Sequence, residues 1–151
     1  TGSAIGALQG MIDAFSAYAR TRTSVVAGAT IKDPDALLAL GEAMVTVDEL
    51  RCVARRNFGA LEVWARQGVP PPFEERLLYK YQAAAVTDRC LVAARALFEN
   101  AGGTGLFDQY PFARILNDLT AARQHAAAQY RLAGRSLGAV SLGQDVNEWY
   151  L

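Results

Sequence analysis

Apolar residues recur at three- and four-residue steps along most of the chain, and clusters of glycine and proline interrupt them. Ile5, Leu8, Ile12, Phe15 and Ala19 fall on one face of a helix expected from about Ala4 to Val26, with Gly28 beyond its end. Asp33-Pro34 reads as an N-cap followed by proline at the first helical position, where a missing N–H has no partner to lose. From there Ala36, Leu40, Ala43, Val47, Leu50, Ala54, Phe58 and Leu61 make one stripe. That predicts a second helix over about 34–67, stopped by Gly68 and Pro70-Pro71-Pro72. Glu74 and Glu75 suit the positive end of a helix dipole and open a third helix over about 73–101. Its seam is Tyr79, Ala83, Val86, Cys90, Ala93 and Leu97, and Gly102-Gly103 ends it. A fourth runs over about 110–137, from Tyr110-Pro111 to Leu137, and the tail from Gly138 is weakly patterned.

Strand signals are nearly absent and the connections are short, so neighbouring helices should run antiparallel. The expectation is an all-α, up-and-down four-helix bundle forming a single domain over 1–151. Helices of about 30 residues reach roughly 45 Å at about 1.5 Å per residue.

Composition fits one packed domain: 151 residues, 52% hydrophobic and 20% charged, enough apolar surface for a core. The 15 basic and 15 acidic residues cancel, and no basic run suggests nucleic acid. No apolar stretch approaches the roughly 20 residues that cross a bilayer, and Thr1-Gly2-Ser3 opens no signal-peptide pattern. Val25, Val26, Trp64 and Leu91 lie off the main seams and suggest association into a dimer or tetramer. Cys52 and Cys90 sit in apolar helical stretches and read as two buried free thiols, which suits a reducing, cytoplasmic setting.

No self-contained catalytic set is visible. One histidine and no Cys/His cluster leave no zinc site. There is no GxSxG, P-loop or HExxH, and no Glu-x-x-His pair for a di-iron bundle. Three features remain. Arg20-Thr21-Arg22-Thr23-Ser24 places arginines and hydroxyls at a helix end, able to hold phosphate or simply solvated. Glu99-Asn100-Ala101-Gly102-Gly103-Thr104-Gly105 has more glycines than a helix cap and turn require, which permits close backbone approach to a ligand. Arg114, Asp118 and His125 are spaced by four and seven and share one face of the expected fourth helix, either as a site or as a surface stripe.

Together these segments resemble the C-terminal domain of the acyl-CoA dehydrogenase superfamily, most specifically along Ala96 to His125, "ALFENAGGTGLFDQYPFARILNDLTAARQH". The resemblance implies flavoproteins built from a helical N-terminal domain, a β middle domain and this bundle, which reaches the flavin site of a neighbouring subunit. It implies that Arg22, with Ser24 nearby, meets the cofactor phosphates. It also implies that Glu99, Gly102, Gly103 and Gly105 stand for a Gln-x-x-Gly-Gly-x-Gly motif over the cofactor. Two departures matter: Glu99 replaces the glutamine, and Asn117-Asp118 replaces an Arg-Asp pair. Where many dehydrogenases carry a catalytic glutamate, this chain reads His125-Ala126-Ala127-Ala128.

The "NDLTAARQH" stretch is similar to the two-component, reduced-flavin-dependent monooxygenases of the same fold. That likeness implies hydroxylation of an aromatic or similar small molecule with O2 and reduced flavin, FMN or FAD, from a separate reductase, with His125 facing the substrate as catalytic residue. An imidazole suits the role because it accepts or donates a proton near neutral pH. The chain is too short for the other domains, so it reads as the C-terminal part of a longer flavoprotein that would not hold flavin tightly alone. A non-catalytic oligomerisation module of the same fold is the alternative, and an acyl-CoA dehydrogenase the third reading.

Overall fold

Helix-forming segments and their stops account for nearly all of the backbone. A computed structural model describes residues 1–24 and 28–147. Helix α1 spans Gly2–Thr21, short of the expected end at Val26. Arg22 turns extended (φ −84°, ψ 128°), and Thr23 and Ser24 pair antiparallel with Ala29 and Gly28 in a two-residue ribbon. Alternating β-branched threonines at 21 and 23 disfavour another helical turn. Val25 and Val26 lie outside the described residues.

Helix α2 spans Pro34–Gln67. Asp33 caps it, its carboxylate accepting from Asp35 N (2.9 Å) and Ala36 N (3.3 Å), and Gly68 closes it in the left-handed region at φ 70°. Helix α3 spans Phe73–Ala101. Both match the expected limits.

The fourth member is not one helix. Helix α4 ends at Arg123, a 3-10 turn follows at Ala126–Ala128, and α5 covers Tyr130–Ser141. Both flanks of the break are tied to one carboxylate on α3: Arg123 Nε reaches Asp88 at 2.5 Å, and the Tyr130 hydroxyl lies 3.5 Å from it. Segment 124–129 leaves the α-helix between these two tethers. His125 therefore lies off α4 and does not share a helix face with Arg114 and Asp118. No ion pair joins those two among the described residues.

The all-α bundle is as expected, but its centre is α3, which packs against α1, α2, α4 and α5. Leu77, Ala84, Val86, Cys90, Leu91, Ala94 and Leu97 are all buried on it, far more of the helix than a single seam. Leu91 thus belongs to the core and Trp64 is half-buried, whereas the seam residues Ala83 and Leu61 are exposed. Phe58 is exposed as well. These positions lie on faces of α2 and α3 that no other described element covers. Cys90 is buried, but Cys52 is exposed on α2, correcting the expectation of two buried thiols. Among the described residues no helix is long and apolar enough to cross a membrane.

Candidate functional site

The C-terminal end of α1 meets the C-terminal end of α3 around a cluster of rings. Tyr18 packs edge-on against Phe112 (5.5 Å between centroids) and Tyr110 (5.0 Å). Its buried hydroxyl donates to Ala101 O at 2.6 Å and accepts from Arg22 Nε at 3.0 Å. Arg22 also donates to Thr23 O (2.9 Å) and Thr104 Oγ1 (2.9 Å). Folding therefore brings Arg22 onto the glycine segment 82 positions away. A guanidinium has five donors, and among the described residues three are used, leaving two for an anion.

The glycines have separate reasons. Gly102 has φ +65° and caps α3, donating to Glu99 O at 3.1 Å. Gly105 is a packing position: a Cβ there would sit 2.8 Å from Ala101 Cβ and 3.3 Å from Phe112 Cδ2. Around Gly103 nothing lies within 4 Å of such an atom. Gly102 is equally open but needs its positive φ, so Gly103 is the glycine that is open and whose local structure does not demand it. The Glu99 side chain is exposed, and Arg22 bonds Thr104 rather than Glu99. Ser24 contributes its backbone pairing with Gly28; its side chain is not among those described.

His125 lies elsewhere. Its Nδ1 accepts from Ala127 N at 3.1 Å and caps the 3-10 turn, which leaves Nε2 as the ring nitrogen available to a ligand. The residue borders a cavity of about 720 Å³ with Thr1, Arg76, Tyr79, Lys80 and Thr87. Among the described residues no aspartate or glutamate lines that cavity. The Glu75 carboxylate accepts the Tyr79 hydroxyl at 2.6 Å and holds it above the usual phenol value, so Tyr79 stays protonated. The cavity borders the N-terminal end of α1 and Arg22 follows its C-terminal end. The 20 residues between span roughly 30 Å, so the structure does not bring His125 and Arg22 into one site. Tyr18, Thr104 and Arg76 did not stand out in the sequence. The four-residue step from Tyr18 to Arg22 was a usable signal; the other two had none.

A model of the acyl-CoA dehydrogenase C-terminal domain matches residues 1–130. The chain belongs to this family. No curated protein matches it. Among solved structures, this acyl-CoA dehydrogenase C-terminal domain is similar to the 3-HSA hydroxylase from Rhodococcus sp. RHA1, with 26% identity and a TM-score of 0.84 over 96% of this chain and 36% of that one. It is similar to the HsaA monooxygenase from M. tuberculosis, with 25% identity and a TM-score of 0.80 over 94% and 37%. XiaF from Streptomyces sp., solved in complex with FADH2 and glycerol, shares the fold at 20% identity and a TM-score of 0.84 over 94% and 36%. The domain spans little more than a third of the length of each.

Proposed function

We propose that the chain is the C-terminal domain of a flavin-dependent monooxygenase that hydroxylates an aromatic or similar small molecule. The observation that carries this reading is the cavity beside His125, which, among the described residues, an imidazole lines and no carboxylate does. Abstracting an α-proton from a thioester needs a carboxylate base there, and Ala126, Ala127 and Ala128 supply none. Similarity to a hydroxylase and a monooxygenase supports the same chemistry.

Reduced flavin, delivered by a separate reductase, would supply the electrons that activate O2. His125 orients a polar group of the substrate: Nδ1 accepts from Ala127 N, which leaves Nε2–H as the donor to that group. Arg22, with two donors unused among the described residues, and the open backbone at Gly103 fit a cofactor phosphate. Because α1 separates them from His125, Arg22 serves the flavin of a neighbouring subunit and His125 the substrate of its own. That arrangement requires a homo-oligomer, a dimer or tetramer. Leu37, Leu38, Val45 and Val92 are exposed along the α2–α3 groove and suit its interface. Sedimentation of the complete protein as a monomer at working concentration would sink the shared-site part.

The decisive experiment compares wild type and His125→Ala in the complete protein, supplied with reductase, FMN or FAD, and a panel of phenols. The variant should yield less product per flavin oxidised and more hydrogen peroxide while flavin binding persists. Unchanged coupling overturns the His125 role. A complete protein that neither binds reduced flavin nor consumes O2 with it overturns the reading and leaves the assembly module.

A further inference from the structure

Arg76 lines the cavity beside His125. Its Nε is, among the described residues, the one buried side-chain nitrogen or oxygen without a hydrogen-bond partner, and its guanidinium forms none of their ion pairs. The adjacent carboxylate, Glu75, is engaged elsewhere: its Oε2 accepts from Tyr79 (2.6 Å) and Trp64 Nε1 (3.4 Å). The Phe73 ring lies 5.4 Å from Arg76 Cζ, so a cation–π contact holds the guanidinium in place. Lys80, one turn further on the same face, borders the same cavity, whose apolar wall includes Leu61, Ala83, Ala84 and Ala122. Arg76 and Lys80 thus border a cavity of about 720 Å³ that no acid lines among the described residues, and the Arg76 Nε lacks its acceptor.

We propose that this cavity takes a carboxylate-bearing small molecule and that Arg76, backed by Lys80, selects it by charge. The Nε edge of a guanidinium, with one terminal nitrogen, matches the two oxygens of a carboxylate. A buried N–H without an acceptor is an open hydrogen bond for that group to complete. The volume falls within the usual range for small-molecule sites, and the alanine and leucine wall suits an apolar body between the carboxylate and the group that meets His125. The inference rests on the monooxygenase reading for the fate of the bound molecule, not for its binding.

The test titrates the complete protein, free of flavin, by calorimetry with para-hydroxybenzoate and with para-hydroxybenzyl alcohol, its uncharged analogue of similar shape. The benzoate should bind about tenfold more tightly or better. Arg76→Met should abolish that difference and Arg76→Lys restore part of it, with circular dichroism checking the fold of each. If Arg76→Met does not fold, Lys80→Met should still narrow the gap. Equal affinity of the wild type for both probes overturns the proposal. So does a charge preference that persists undiminished in Arg76→Met, because the arginine would then not be the selector. A parallel arm follows O2 consumption with reduced FMN and FAD. Charge-selective binding without O2 consumption keeps the carboxylate site and overturns the monooxygenase. O2 consumption without charge selectivity does the reverse.

Discussion

Arg22 Nε donates to the Tyr18 hydroxyl at 3.0 Å, so a buried tyrosine fixes the arginine that would meet phosphate. The hydroxyl in turn anchors on Ala101 O at 2.6 Å, which locks the end of α1 to the end of α3. Tyr18→Phe keeps the ring packing and removes both bonds. It should destabilise the protein by about 1–3 kcal/mol in urea unfolding and weaken flavin binding by the complete protein. Unchanged stability would mean that water replaces the hydroxyl.

Asp88 holds both flanks of the bulge that carries His125. The pair with Arg123 is partly exposed, so Asp88→Ala should cost no more than about 1 kcal/mol. Its larger effect should be functional. With the bulge released, product per flavin oxidised should fall towards the His125→Ala level while the melting temperature barely moves. Full coupling in Asp88→Ala would show that the bulge holds its shape without the anchor.

Gly105 and Gly103 separate packing from ligand approach. Gly105→Ala drives a methyl against Ala101 and Phe112 and should cost about 1–3 kcal/mol by overpacking. Gly103→Ala meets nothing within 4 Å and should stay within about 0.5 kcal/mol of wild type. In the complete protein the second variant should nonetheless bind flavin more weakly. Wild-type flavin affinity in Gly103→Ala would remove that glycine from the cofactor site.

The two cysteines should behave differently. A thiol reagent should label Cys52 in the native protein and reach Cys90 only on unfolding. Burial pushes the Cys90 thiol from 9.0 up to about 11. Folded chains therefore keep a proton that unfolded chains lose between those values. The contribution is complete below pH 9 and lost as pH rises to about 11, on the order of 3 kcal/mol at about 1.4 kcal/mol per unit. Denaturation of wild type and Cys90→Ala from pH 8 to 11 measures it; equal slopes would refute it.

Local chemistry makes much of the fold legible in the order of residues. Asp33-Pro34, Gly68 and Gly102 set three helix ends where expected, because caps and left-handed positions are decided within a few residues. The family's residues between Ala96 and His125 are legible as well, since they form one short stretch of chain. Packing between elements sets what periodicity cannot encode. The fourth helix breaks between Arg123 and Tyr130, two side chains that both reach Asp88 on another element, a contact that periodicity does not encode. The α3 seam widens to most of the helix because helices pack on several of its sides, and Cys52 is exposed because it faces away from them. Arg22 joins Thr104, and Arg76 is left with an orphaned donor in a cavity, through contacts between segments far apart in the chain. Which segments are helical, and where most of them stop, follows from the residues alone, because hydrogen bonds and caps are local. Which side chains converge, and which are left without partners, follows only from the packed fold, because burial depends on every neighbouring element at once.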